Sequence, residues 1–145
     1  MNINERITRE ELHMKMALLV AERATCGRRK VGCIITKESR IISTGYNGPL
    51  KGDNHCSKET CNLESNCIRS VHAEANAISF AAKEGISLAG STLCCTSSPC
   101  KKCAELIIQS GIVKVVYLHE YSGWKDAKDF LNTHGVTLID ICQVD

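Results

Sequence analysis

No apolar run in this 145-residue chain comes close to spanning a bilayer: the longest near the amino terminus, Met16 to Ala21, is far short of the ~20 residues a membrane helix needs. The opening residues, MNINERITREE, are charged and contain no apolar h-region, so no export signal is expected. A charge excess is also lacking. Lys and Arg number 18 against 16 Asp and Glu, a net +2, whereas a chain that grips long polynucleotides usually carries a larger or more clustered surplus. No internal repeat or low-complexity stretch suggests a boundary. These absences predict a cytoplasmic protein whose residues 1–145 form one domain, with neither a membrane nor a polynucleotide as partner. An apolar fraction of 43% is enough for a real core.

Cysteine, by contrast, is abundant: there are ten. In a small secreted domain this would indicate a disulfide scaffold, but with an adequate core and no export signal, reduced thiols held for metal binding are the better reading. The thiols cluster. Cys100 and Cys103 form a C-x-x-C after Pro99, and Cys56, Cys61 and Cys67 share one stretch between apolar segments.

Thr8-Arg9-Glu10-Glu11 is a capping-box signature, and Leu12, Met16, Leu19 and Val20 keep helical spacing until Thr25-Cys26-Gly27, so a first helix is predicted from Arg9. Val31 to Thr36 and Arg40 to Tyr46, joined by Lys37-Glu38-Ser39, read as an antiparallel hairpin. From Asn47 to Ser70 no period is visible, and so long a loop implies a function or something that pins it. Helices follow at Ala73–Lys83, Cys100–Gln109 and Trp124–His134, alternating with strands at Thr92–Thr96, Val113–Leu118 and Val136–Cys142. The last three strands are separated by helices, which requires parallel crossovers, while the first two can only be a hairpin. The expectation is an α/β fold of three layers, a five-stranded mixed sheet with helices on both faces.

His72-Ala73-Glu74 opens one of these helices and Pro99-Cys100-Lys101-Lys102-Cys103 opens another, so two helix N-termini can face one point. His72, Cys100 and Cys103 supply the three protein ligands of a catalytic zinc, whose fourth place belongs to water. A helix start favours thiolates through its dipole and unpaired amides. Glu74 is better placed beside the metal than on it, where a carboxylate can take a proton from water and deliver it elsewhere. Alone, the C-x-x-C would suit a structural zinc or a redox pair, and the histidine a cap. Together, H-x-E followed by P-C-x-x-C is the arrangement already recognised in zinc-dependent base deaminases, with the glutamate off the metal.

The resemblance extends beyond these letters. Thr25-Cys26-Gly27-Arg28-Arg29-Lys30-Val31-Gly32, Gly45-Tyr46-Asn47-Gly48, His55-Cys56, Cys67 through Ile78 with its H-A-E-A-N-A-I string, and Ser98 through Ala104 make the chain resemble the deoxycytidylate (dCMP) deaminases of the cytidine deaminase superfamily. The resemblance implies a cytidine-deaminase-like fold and hydrolysis of dCMP to dUMP and ammonia, supplying dUMP for dTMP synthesis. By this analogy Glu74 receives the water proton, protonates N3 and helps the amine leave. Asn47 is implied to hold the deoxyribose hydroxyl and the Ala73 amide to meet the base carbonyl. For Asn47 a turn residue with a left-handed backbone is the competing reading.

A monophosphate needs cationic or amide donors, and Arg28 and Arg29 have the reach; a solvated surface position and contact with a nucleotide effector, for which Arg29 is the candidate, are the competing roles. Tyr121 is a candidate for lining the pocket or simply for packing. Family members are commonly homohexamers activated by dCTP and inhibited by dTTP, with Mg2+ accompanying the triphosphate, and the region of Gly45, Tyr46 and Gly48 is where the resemblance would put that effector. Cys26, Cys56, Cys61 and Cys67, with His55 able to replace one thiol, make a candidate second, structural Zn2+ site; the alternative is a group of reduced thiols. Cys33, Cys94, Cys95 and Cys142 fall in apolar strands and are assigned to the core, as is Trp124. Two rival functions remain open at this level: a deaminase for tRNA or a free base, and a zinc-stabilised binding module without catalysis.

Overall fold

A computed structural model describes residues 5–55 and 70–143. Helix α1 (Arg9–Ala21) starts where the capping box places it. Thr8 Oγ1 accepts from the Glu11 amide at 3.1 Å, and Glu11 Oε2 accepts from the Thr8 amide at 2.9 Å. Strands β1 (Gly32–Lys37) and β2 (Arg40–Tyr46) form the hairpin, closed by Glu38 and Ser39 with φ of 52° and 66°. Positive φ at both central residues matches the twist of the flanking strands, which is why a two-residue turn suffices.

Helix α2 (Ala73–Glu84), strand β3 (Thr92–Ser97), helix α3 (Lys101–Gln109), strand β4 (Lys114–His119), helix α4 (Trp124–Thr133) and strand β5 (Thr137–Asp140) complete the chain. The sheet order is β2-β1-β3-β4-β5: β1 lies antiparallel to β2 and to β3, while β3, β4 and β5 run parallel. This is the mixed α/β sheet that the crossover argument requires.

The pleat divides the core in two. Cys33, Ile35, Leu93, Cys95, Val115 and Tyr117 face α2, α3 and α4, and Ile34, Cys94 and Val116 face α1 with its Met14 and Ala17. Trp124 packs edge-on against Tyr117, ring centroids 5.0 Å apart, in the core as expected.

Of the residues whose spacing announces α1, Val20 packs against the core while Leu12, Met16 and Leu19 are 43%, 37% and 65% exposed, and α1 buries His13, Met14, Ala17 and Ala21. The reason lies in β1. A Cβ at Gly32 would stand 2.0 Å from the Ala17 carbonyl oxygen and 2.5 Å from the Ala21 amide nitrogen, so the helix backbone rests on the strand backbone. Only small side chains fit between them, and the leucines turn outward. One sequence expectation is corrected, at the C-terminal strand. Strand β5 ends at Asp140 and a 3-10 turn, Ile141–Gln143, follows. Cys142 is therefore exposed, its thiol donating to the Leu118 carbonyl at 3.3 Å, whereas Cys33, Cys94 and Cys95 are buried as expected. Among the described residues no helix is long and apolar enough to cross a membrane.

Candidate active site

His72 is the N-cap of α2 and Cys100 the N-cap of α3, and both helices begin over the carboxyl end of β3. Cys100 caps with its sulfur, which accepts from the Cys103 amide at 3.5 Å. That bond holds the Cys100 sulfur over the start of α3, where the Cys103 sulfur also approaches His72. His72 Nδ1 lies 3.4 Å from the Cys100 sulfur and 3.4 Å from the Cys103 sulfur. All three donor atoms fall within 4.8 Å of one another.

This triangle fits a zinc ion. At ordinary Zn–N and Zn–S lengths, a nitrogen and a sulfur on a regular tetrahedron are separated by roughly 3.6 Å. One imidazole and two sulfurs also suit a borderline-soft cation. Protons occupy the same donors in its absence. A hydrogen bond from Cys103 holds Cys100 down to about 4, with His72 assisting, and the Cys103 thiol is pushed up because it keeps the shared proton. The hydrogen bond to Cys100 raises His72 against the opposing effect of burial. When bound, zinc lowers the pKa of a water it holds from about 15.7 to about 7, so that water becomes a nucleophile at neutral pH.

Glu74 sits in the first turn of α2, only 4% exposed. Burial raises its carboxyl above the usual carboxylate range, so it holds a proton more readily than a carboxylate in water. The Cys95 thiol donates to its Oε1 at 3.4 Å. A carboxylate that keeps a proton easily, placed next to a metal triangle, is suited to shuttling protons.

The remaining predicted residues divide. Arg29 reaches the site: its Nη2 donates to Ser97 Oγ at the end of β3, and its guanidinium lies 5.5 Å from the centroid of the Tyr121 ring. Tyr121 is anchored through its amide, which donates to Ser98 Oγ at 3.0 Å. Arg28 is exposed. Asn47 is 92% buried and its backbone is not left-handed; its Oδ1 accepts from the Val31 amide and its Nδ2 donates to the Arg29 carbonyl, each at 2.8 Å. It thus clamps the segment that carries Arg29.

Gly48 pairs with Val71 through amides at 2.7 and 3.2 Å, which brings the Asn47 loop beside His72. Gly45 lies beneath α2, where a Cβ would stand 2.3 Å from the Ala73 carbonyl oxygen. Ala73 is fully buried and Tyr46 is 37% exposed. Cys26 is partly exposed and His55 exposed, while Cys56, Cys61 and Cys67 lie outside the described residues.

Three residues escaped the sequence reading. Ser97 and Ser98 hold Arg29 and Tyr121, and Asn76 donates to the Tyr46 carbonyl at 2.7 Å, tying α2 to the end of β2. Asn76 stands inside the H-A-E-A-N-A-I string and the serines directly precede Pro99, so their motif positions were the available signal.

Comparison with known proteins agrees with this chemistry. A family model described as "Cytidine and deoxycytidylate deaminase zinc-binding region" matches residues 7–119. ComE operon protein 2 of Bacillus subtilis is 38% identical over 135 residues, covering 92% of this chain and 71% of that protein. The deoxycytidylate deaminase of Enterobacteria phage T4 is 34% identical over 171 residues, covering 88% and 87%. The crystal structure of dCMP deaminase from the cyanophage S-TIM5, in complex with dCMP and dUMP, superposes with a TM-score of 0.84 at 37% identity, covering 94% of this chain and 99% of that one. With the metal triangle, the buried glutamate and this match together, the chain belongs to the cytidine and deoxycytidylate deaminase family, hydrolases that act on a C–N bond.

Proposed function

We propose that the protein hydrolyses dCMP to dUMP and ammonia, supplying dUMP for dTMP synthesis. The observation that carries this is the buried Glu74 next to the convergent His72, Cys100 and Cys103, with Arg29 beside Tyr121 in the same site. The relative in the S-TIM5 complex, bound to dCMP and dUMP, supports the choice of substrate.

In this reading His72, Cys100 and Cys103 hold the zinc. Glu74 takes a proton from water and places it on N3 while the water oxygen adds to C4. The second water proton then passes through Glu74 to the 4-amino group, the C4–N4 bond breaks, and ammonia leaves a C4 carbonyl behind. The Ala73 amide belongs to the first turn of α2 and has no partner within the helix, so it is free to meet the base carbonyl. Asn47 holds the sugar hydroxyl as well as the Arg29 backbone, since its amide carries two N–H groups. Arg29 is the principal phosphate donor and Arg28 the outer one.

The finer reading includes a homohexamer activated by dCTP and inhibited by dTTP with Mg2+, the effector lying near Gly45, Tyr46 and Gly48. It also includes a structural zinc on Cys26, Cys56, Cys61 and Cys67.

One experiment tests the core of this proposal: ammonia release from dCMP, cytidine, guanine and adenosine-bearing tRNA, with and without dCTP, for the wild type and Glu74→Gln. dCMP should be the preferred substrate, and the variant should lose about 10²- to 10⁴-fold in kcat with its zinc content unchanged. Faster turnover of another substrate sinks the dCMP assignment, and retained turnover in Glu74→Gln sinks the proton shuttle.

A further inference from the structure

Cys95 is the middle of three groups that meet beneath the N-terminus of α2. It lies in β3, flanked by β1 and β4, and is fully buried. Strand alternation points it to the α2 face, directly opposite Cys33 of β1. Its sulfur is 3.4 Å from Glu74 Oε1, within hydrogen-bond reach for a thiol donor.

We propose that Cys95 is a positioning residue for the deamination: its S–H holds one oxygen of Glu74, fixing the carboxylate so that the other oxygen carries the proton traffic. The inference rests on the deaminase reading of the site and assigns a role to a thiol that looks like core packing in the sequence.

Two points bear on it beside that contact. First, burial pushes the Cys95 thiol well above its ordinary range, so it stays protonated and can act toward a carboxylate only as a donor. Second, a thiol is a weak donor, so it orients the carboxylate without competing strongly for its lone pairs. Cys94, the next residue, faces the α1 core and provides a control of identical chemistry.

The test uses the zinc-loaded full chain and two readouts. In steady-state kinetics, Cys95→Ala should lower kcat roughly five- to tenfold with KM within about twofold of wild type, Cys95→Ser should recover most of the loss, and Cys94→Ala should change neither parameter. In infrared difference spectra, wild type minus Cys95→Ala isolates the Cys95 S–H stretch, and Glu74→Gln should shift that band to higher frequency. The band needs no turnover. If the wild type fails to deaminate dCMP, the proposed substrate falls while the infrared arm still decides the thiol contact. A band unmoved by Glu74→Gln overturns the proposal, as does a folded Cys95→Ala enzyme with full kcat, or equal impairment of the Ala and Ser variants.

Discussion

Cys94 and Cys95 are neighbours in one strand, yet the pleat sends them into two different kinds of surroundings. Cys94 packs with Met14, Ala17, Ile34 and Val116 beneath α1, where burial pushes its thiol up to about 12. Cys95 meets a carboxylate beneath α2. The two faces differ in the same way as wholes. On the α2 face directional bonds pin the helix: Ser43 donates to the Ala77 carbonyl at 2.6 Å and Asn76 to the Tyr46 carbonyl at 2.7 Å. On the α1 face the described polar tie from the helix to the sheet is at the rim, Lys114 to Glu10 at 3.4 Å. The helix that presents His72 and Glu74 is fixed in angle and register, whereas α1 is held mainly by shape and apolar burial.

The largest effect that separates the faces should come from two glycines. In Gly45→Ala the new methyl would overlap the Ala73 carbonyl oxygen at 2.3 Å and the Ala77 nitrogen at 2.7 Å, so α2 must shift. Overpacking of this kind costs about 1–3 kcal/mol, and here it also moves His72 and Glu74. Gly32→Ala meets Ala17 and Ala21 of α1 at 2.0 and 2.5 Å and should cost at least as much stability. Urea unfolding should show both losses. Zinc content and kcat per folded molecule should fall only in Gly45→Ala, and equal catalytic loss in Gly32→Ala would erase the contrast between the faces.

Which of these features the residues announced follows from their range. The convergence of His72, Cys100 and Cys103 was legible because H-x-E and P-C-x-x-C are local strings at helix starts, and the sheet because helices between the last three strands force parallel pairing. The packing stripe of α1 was not legible. Apolar side chains surround most of that helix, and the choice between Leu12, Met16 and Leu19 or Met14, Ala17 and Ala21 is made by Gly32, which lies eleven residues beyond Ala21 in the chain. Arg29 on Ser97 and Cys95 on Glu74 are 68 and 21 residues apart in sequence. Alternation along β3 gives the face of Cys95, but only the placement of α2 shows what stands over it.

A smaller effect should appear on metal removal. The metal-free site keeps a proton on Cys103, and the bond to Cys100 raises His72, so zinc competes with protons for its donors. Calorimetry in two buffers of different ionisation enthalpy should show protons released on zinc binding at pH 7, and affinity should fall as the pH is lowered. Hydrogen exchange should slow in the first turns of α2 and α3 on loading and stay unchanged in α1. Slowing throughout α1 would show that the faces respond as one body.

The smallest expected effect is at the α1 rim. Glu10 is lowered from its ordinary value first by a backbone hydrogen bond in the opening turn and then by Lys114, with burial opposing. A carboxylate whose folded pKa lies below its unfolded one stabilises the fold above the unfolded value, and that stabilisation is lost as pH falls through the folded pKa. The Lys114–Glu10 pair has side chains 30% and 40% exposed, so solvent screens it and its worth is a few tenths of a kcal/mol. Glu10→Gln should therefore lower stability by about that much at pH 7, and the difference from wild type should shrink to nothing once Glu10 is protonated in both states. Urea midpoints at pH 7 and at a series of lower pH values measure it, with kcat at pH 7 as the control. A change in kcat would show that the rim of α1 communicates with Glu74 across the sheet, because the pair touches nothing in the metal triangle and can reach it only through the strands that lie between.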